Sequence, residues 1–321
     1  MQGKVTTGAV SSVYVGIDVC KERLDVYLHP LNERLSVAND AGGWRRLQRR
    51  LQGLEVTLVV MEPTSKYHRA AHRHLAANGI TVALVNPLRA RLFAQACGQL
   101  AKTDRIDAHM LALMAERLRP QEAALPSLVE EELQELAGAR SAAIAERGAV
   151  ANRLEAACSS FLRRELAGRL RSLERHVGKL EARIQTLIAA DPATARRAAI
   201  VQSIPGIGPA NVLAILACLT EIGRLDAKQV AALAGLAPFA RDSGPSQGRR
   251  SIRGGRSRLR QYLYMAAVSA SRCNPDLKHF YQHLRANGKP PKLALTAVAR
   301  KLIILANTLV AQDRSWSPVR P

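Results

Sequence analysis

Four carboxylates carry the first chemical signal in this chain. Asp18 lies inside the apolar run Val13 to Cys20, VYVGIDVC, whose β-branched character suits a buried central strand and does not suit an ionised side chain. It is therefore either a strand-end aspartate satisfied by backbone donors or a ligand. Glu62 closes a second run of the same kind, Val56 to Met61, VTLVVM. Asp104 and Asp107 stand three apart in KTDRIDA, a spacing that sets both on one face of a helix near its N-terminus. Two like charges repel there unless a cation sits between them, although acids in a first helical turn are also ordinary dipole partners. Taken together, four hard oxygen ligands suit two Mg²⁺ ions. Such ions activate an attacking oxygen and stabilise a leaving one in phosphodiester chemistry.

The surrounding sequence supplies the elements that could bring these acids together. After the first run come RLDVYLHP and ERLSVAND, two short alternating segments separated by Pro30, Leu31 and Asn32, which predicts three antiparallel strands. Helical spacing follows over Gly43 to Leu51, then the strand ending at Glu62, a helix over Tyr67 to Asn78 ended by Gly79, and a fifth strand in ITVALVNP. Helices are expected at Leu88 to Cys97 and at Asp104 to Leu118, with Thr103 as N-cap. The layout is a mixed sheet covered by helices, an α/β domain of ribonuclease-H-like type over residues 10–120, in which the four acids would converge at one sheet edge.

From Glu130 to Ala190 the composition turns to Leu, Ala, Glu and Arg with no proline, which predicts long helix. Leu166, Leu170, Leu173, Val177, Leu180, Ile184 and Leu187 alternate spacings of four and three, the a/d seam of a coiled coil. Its partner is either the upstream helix around Leu133 to Leu154 or the same helix of another subunit, and the length of the seam favours self-association. Residues 121–195 thus read as a helical, oligomerising linker. Residues 196–315 read as a third, all-α domain.

That last domain carries most of the charge. The formal net charge is +21, of which residues 201–321 hold +13, residues 1–120 hold +7 and residues 121–200 hold +1. Such a balance points to a polyanionic partner, nucleic acid above all. Aromatic residues make up 4% of the chain, and no basic amphipathic segment with Trp or Phe anchors argues for a membrane surface. No apolar run is read as a membrane span, the start MQGKVTTGAVSS lacks a signal-peptide core, and five scattered cysteines without a C-x-x-C pair read as reduced thiols. The expectation is a cytoplasmic protein.

Within the basic third, SIPGIGPANVLAIL (Ser203 to Leu216) has the pattern of a helix-hairpin-helix, where Gly206 and Gly208 would turn backbone N–H groups toward phosphate oxygens. The stretch Ala237 to Gly255, APFARDSGPSQGRRSIRGG, reads as an extended loop rich in Gly, Ser and Arg, and a loop of that length in a compact domain is usually functional or disordered. Lys102, Arg105, Arg249, Arg250, Arg253 and Arg256 are the basic side chains best placed to meet a nucleic acid. The pairs His68/His72 and His279/His283 lack the H-E-x-x-H form and read as helical surface residues, and the tail WSPVRP reads as loose.

With these motifs in order, the chain resembles the DEDD-type transposases of bacterial insertion sequences, the insertion-sequence one-ten family with its Piv/MooV invertase relatives. GIDV around Asp18, MEPT around Glu62 and KTDRIDA around Asp104 and Asp107 are similar to that family's RuvC-like acids, and IPGIGP with AGLAPFARDSG resembles its transposase-specific domain. The resemblance implies Mg²⁺ bound by the four acids and a serine nucleophile in the second domain. It implies DNA ends and target as substrate, a structured bridge (guide) RNA as partner, and a homo-oligomer in which acids and serine come from different subunits. The matching serine is Ser243 in Asp242-Ser243-Gly244. Many relatives carry a second serine where this chain has Asp242, and Arg253 stands where a lysine is usual, so Ser246 and Ser251 remain candidates. Arg249, Arg250 and Arg253 would offset the charge that develops when a serine attacks phosphate. Two other classes are consistent with the residues: a metal-dependent nuclease or junction resolvase in which water attacks, and a non-catalytic nucleic-acid-binding protein.

Overall fold

The apolar runs of the N-terminal third form strands because their side chains alternate between two buried surfaces. β1 (Val13–Val19) sends Val13, Val15, Ile17 and Val19 to one side and Tyr14, Gly16 and Asp18 to the other. β2 (Arg23–His29) and β3 (Glu33–Ala38) follow as antiparallel neighbours. α1 (Ala41–Leu51) starts at Asp40, whose side chain accepts from the Gly43 amide at 2.8 Å. β4 (Val56–Glu62) then lies parallel to β1 on its other side, α2 (His68–Ala77) crosses over, and β5 (Val82–Leu84) pairs parallel with β4. α3 (Pro87–Ala96) and α4 (Asp104–Leu118) complete this part. The five-stranded sheet has the order β3-β2-β1-β4-β5.

The computed structural model describes residues 12–99, 104–240, 248 and 250–318, with the backbone alone for residues 104–106. The chain divides into two compact units, one ending at Leu125 and the next beginning at Pro126. In the first unit, α1 and α2 supply Leu47, Leu51, Ala71 and Leu75 to one face of the sheet, while α4 supplies Leu111, Met114 and Ala115 to the other. His72 is buried at 3% exposure on α2 and so departs from the surface position expected of it, because it lies one residue from Ala71 on the edge of that helix's inward face.

The second unit opens on a capping box. Ser127 Oγ accepts from the Glu130 amide at 3.1 Å while Glu130 Oε2 accepts from the Ser127 amide at 2.9 Å, which fixes the start of α5 (Leu128–Ala156). α6 (Ser160–Ala190) returns beside it, so the a/d seam finds its partner within the same chain. Arg140 bonds Glu181, Arg183 bonds Glu132 and Arg169 bonds Glu146, each at 2.6 Å, and these pairs set the antiparallel register. Phe161 and Leu162, at the start of α6, stay exposed.

The helical pair is not an isolated linker. Leu133 of α5 and Ile184 and Leu187 of α6 belong to one buried cluster with the helices that follow. These are α7 (Pro192–Gln202), α8 (Pro209–Cys218), α9 (Ala227–Leu233), α10 (Ser257–Cys273), α11 (Pro275–Ala286) and α12 (Pro291–Ala311). α12 is long and apolar enough to cross a membrane by length and composition, contrary to the reading of the sequence. Its apolar side chains, among them Val298, Leu302, Ile303 and Leu309, are buried against the other helices of this unit, which is the pattern of a core helix. The start of the tail is better held than expected, residues 319–321 lying outside the described residues: the Trp316 amide donates to Ser203 Oγ at 2.8 Å, Arg196 pairs with Asp313 at 2.7 Å, and Trp316 packs on the core.

Candidate functional site

The N-terminal acids meet at the carboxyl ends of two parallel strands. Along β1 the face shared with Tyr14 and Gly16 includes Asp18, and along β4 the face shared with Leu58 and Val60 includes Glu62. Asp18 and Glu62 are direct register partners. Adjacent strands lie only about 4.8 Å apart, so both carboxylates project from neighbouring backbone positions toward α4. Both are half-buried. The carboxyl ends of strands are where open α/β sheets bind ligands.

A third acid joins them that the sequence reading passed over. Asp25 of β2 is the register partner of Asp18 on its other side, so three carboxylates line up across β2, β1 and β4. The signal lay in the alternation of RLDVYLH, where Asp25 and Tyr27 share the face opposite Leu24, Val26 and Leu28. Ligand atoms of Asp18, Cys20 and Asp25 all lie within 4.8 Å of one another. Like charges directly opposite in a ladder are destabilising. Arg23 offsets part of this, its Nε donating to Asp25 at 2.8 Å. Oxygen donors gathered this way fit a hard divalent cation, whereas the Cys20 thiol is a soft ligand that such an ion does not seek.

α4 brings Asp107 to the same face by an unusually close approach. A Cβ built on Gly16 would overlap the Ala108 carbonyl oxygen, the Ala112 amide nitrogen and Leu111 Cβ, so the helix backbone rests on β1 where a side chain is missing. Asp107 precedes Ala108 by one residue and borders, with Glu62, a cavity of about 370 Å³ between α3 and α4. Further along α4, the His109 ring meets Tyr27 with centroids 4.5 Å apart, and burial, together with the nearby Arg34 and His29, holds its pKa below the ordinary 6.5. The backbone of Asp104 and Arg105 forms the first turn of α4. Their side chains, and the whole of Lys102, lie outside the described residues.

In the second unit the glycine and arginine motifs separate into distinct tasks. Gly206 has φ +101°, and a Cβ there would run into Ala270 of α10, so its lack of a side chain serves the turn and its packing. Gly208 is the N-cap of α8 and has open space around it. Ser243, Ser246 and Arg249 lie outside the described residues. The chain flanking them is not merely loop, because Pro238–Phe239 (β6) pairs antiparallel with Ser251–Ile252 (β7), a ribbon that holds Ser251 opposite Phe239. Below it Gly235 meets Gly254 and Gly255 so closely that no side chain fits, and the Arg256 amide donates to the Leu233 carbonyl at 2.8 Å.

Arg250 and Arg253 are exposed, as a polyanion contact requires. Arg256, also expected to meet a nucleic acid, has a structural partner in the described residues. Its guanidinium makes a two-pronged pair with Glu221, at 2.8 and 2.6 Å, which ties the base of the loop to the α8–α9 connection. Burial tends to raise the Glu221 pKa, but the hydrogen bonds and charge of Arg256 outweigh it and hold the carboxyl below its ordinary 4.5. A depressed carboxylate contributes stability above that ordinary value and loses it as pH falls through the lowered one. Replacing Arg256 with glutamine is therefore expected to lower stability at neutral pH by about 1 kcal/mol, the pair being one-third exposed. In melting curves the gap from wild type should close on acidification well below pH 4.5. A constant gap at every pH would show that the ion pair is not its source.

A carboxylate-lined strand edge and a basic helical unit define an enzyme class that works on nucleic-acid backbones, and comparison with known proteins supplies the family. Residues 15–162 match the family model of the DEDD transposases of IS110, described as "Transposase", and residues 198–282 match "Transposase IS116/IS110/IS902 family". Over 318 residues, 96% of this chain and 98% of the relative, it is 27% identical to the "Pilin gene-inverting protein" of Moraxella bovis. It is 30% identical over 140 residues to the "Insertion element IS110 uncharacterized 43.6 kDa protein" of Streptomyces coelicolor, which spans 43% of this chain and 34% of that protein. A similar partial match, 32% over 162 residues, covering 49% of this chain and 39% of the relative, links it to an insertion element IS116 protein of Streptomyces clavuligerus. The chain belongs to the IS110 family of transposases, and its activity is that of a DNA transposase or recombinase.

Proposed function

We propose that this transposase cuts and rejoins DNA strands at the ends of a mobile element, with Asp18, Glu62, Asp104 and Asp107 as the ligands of two Mg²⁺ ions and Ser243 as the nucleophile. The observation that carries the reading is the register match of Asp18 with Glu62 on parallel strands, beneath a helix that Gly16 draws close enough to add Asp107. A mixed sheet of order β3-β2-β1-β4-β5, with β2 antiparallel to β1, supports a ribonuclease-H-like (RuvC-like) domain. The helix-turn-helix at Gly206–Gly208 supports a helix-hairpin-helix-like element, with Gly208 the open position for a phosphate oxygen.

Bound Mg²⁺ supplies Lewis-acid stabilisation of phosphate oxygens as charge shifts during the displacement. The chain's own part is to hold that position with acids fixed by a sheet and to deliver a hydroxyl. Ser243 Oγ forms a new bond to phosphorus, the bond to the departing strand's oxygen breaks, and that oxygen takes up a proton as the serine loses one. Arg250 and Arg253, exposed on the segment that follows, offset the charge gathering on the phosphate. The net +13 of residues 201–321 supports a partner set of DNA and a structured guide RNA, and the relative named as a gene inverter supports strand exchange over simple cutting. The seam of α6 is filled by α5, so homo-oligomer formation would use other surfaces of the hairpin, the exposed Phe161 and Leu162 among them.

The nucleophile is tested by trapping. Denaturing the protein in mid-reaction should leave a covalent protein–DNA adduct in wild type and none with Ser243→Ala, while Ser246→Ala and Ser251→Ala retain it. An active wild type that never yields an adduct points instead to a nuclease in which water attacks. RNA sequencing of what co-purifies should return one discrete structured species, and random cellular RNA would sink the guide.

A further inference from the structure

One cavity of the second unit has no task in the chemistry above. Between β7, α10 and α12, it has a volume of about 410 Å³ and is bordered by Ile252, Gln261, Tyr264, Met265 and Thr296, with the buried Leu236. Arg260 fixes one wall, its Nη1 donating to the carbonyls of Gly235 and Gly254 at 3.2 and 2.8 Å. Thr296 donates its hydroxyl to the Lys292 carbonyl at 2.8 Å, so its methyl is what remains for a ligand. The walls are thus mainly apolar, yet they are open to solvent: Met265 is 62% exposed, and Ile252 and Leu293, one turn from Thr296, are exposed too. Exposed apolar side chains gathered in one place mark a binding surface.

Charge narrows what covers it. β6, β7, α10 and α12 carry no aspartate or glutamate. Arg253 and Lys292 stand exposed next to Ile252 and Leu293 in the chain, and Arg300 lies one turn beyond Thr296 on the same face of α12. A second copy of this chain would bring a net charge of +21 against that acid-free surface, and like charges oppose the contact. A flat apolar ring carried on an anionic chain satisfies both features, and a nucleobase on its phosphate backbone is such a group. Tyr264 offers an aromatic side chain, Met265 a thioether that packs favourably on rings, and the exposed Gln261 an amide that both donates and accepts along a base edge. A duplex hides its base faces, so the base must be unpaired. DNA is the substrate that the activity of this chain requires, and the methyl of thymine, which uracil lacks, suits the walls formed by Ile252, Met265 and Thr296.

We propose that this cavity binds an unpaired base of single-stranded DNA, thymine above the others, while Arg253, Lys292 and Arg300 meet the flanking phosphates. The site holds a strand that cutting and rejoining leave unpaired. Its role is independent of which serine is the nucleophile and of how the acids bind metal.

The test uses the full chain in EDTA, so that binding is read without cutting. A single-stranded oligodeoxynucleotide with 5-iodouracil in place of thymine, irradiated on the protein, should crosslink to α10 at Tyr264 or Met265, as mapped by mass spectrometry. In fluorescence anisotropy, wild type should bind a thymine strand about tenfold more tightly than a strand of the same length that is abasic throughout. Met265→Ala, at an exposed position, and Tyr264→Leu, which removes the ring and keeps an apolar side chain, should bring the two affinities within about twofold of each other. Both variants should bind the abasic strand as wild type does. Leu128→Ala, which removes an exposed apolar side chain on α5, should keep the full preference. Crosslinks that map only elsewhere, Met265→Ala and Tyr264→Leu proteins that keep the preference, or its loss in Leu128→Ala overturn the proposal. A uridine RNA strand that competes as well as the thymine strand overturns the choice of DNA.

Discussion

Asp18→Asn is expected to abolish DNA cutting while leaving the fold intact or slightly firmer. Asp18 stands between Asp25 and Glu62, each its direct register partner, so one of three adjacent charges is removed by a side chain of the same shape. Relief of directly opposed like charges on a ladder is worth roughly 0.2–1 kcal/mol, and melting of the metal-free variant should rise by a corresponding amount. The activity moves the other way. Loss of a ligand that positions the cation at a phosphoryl group forfeits several kcal/mol of charge stabilisation, on the order of a thousandfold in rate. If the proposed acid site holds Mg²⁺ in the folded state alone, the ion should raise the melting temperature of wild type and fail to do so for the variant. A variant that still cuts at a tenth of the wild-type rate or faster, about 1.4 kcal/mol of barrier, would remove Asp18 from the site.

Gly16→Val is the second large effect, and it reaches Asp107 through packing and not through charge. The side chain would have to occupy space already filled by the backbone of α4 at Ala108 and Ala112, where neither a rotamer change nor a flexible neighbour offers relief. Overpacking of this kind costs about 1–3 kcal/mol, and more where backbone must shift. α4 would lift from β1, carrying Asp107 away from Glu62 and Asp18. Misplacement by about 1 Å can cost a hundredfold in rate. The expected result is a folded protein with a lower melting temperature, cutting depressed by that factor, and weaker Mg²⁺-dependent stabilisation. Gly53→Ala is the matched control: Gly53 has open space around it at φ +81°, so the variant carries backbone strain but should cut normally. Normal activity in Gly16→Val would mean that the closeness of α4 to β1 does not position the acid.

Much of the N-terminal architecture was legible because it is written in local periodicity. Alternation along VYVGIDVC and VTLVVM fixes which face Asp18 and Glu62 share before any partner strand is known, since successive side chains of a strand point to opposite sides. The spacing of Asp104 and Asp107 on one helix, the stop at Gly79 and the seam of α6 are of the same kind, while Thr103, the expected N-cap of α4, lies outside the described residues. Asp25 was missed although its strand was read correctly. Its importance comes from lying opposite Asp18, and register is a relation between strands. His72 was read as a surface residue from its type and spacing, when burial depends on what its helix packs against.

The chain by itself therefore determined the element types, the faces of its strands and helices, and a charge balance that demands a polyanion. Tertiary structure alone decided which acids stand side by side, that α5 fills the seam of α6, and that Arg256 is committed to Glu221 while Arg250 and Arg253 stay exposed. The physical reason is one of range. Period and propensity act over a few residues, whereas the approach of α4 to Gly16 joins residues some ninety apart, and only the packed core sets their distance.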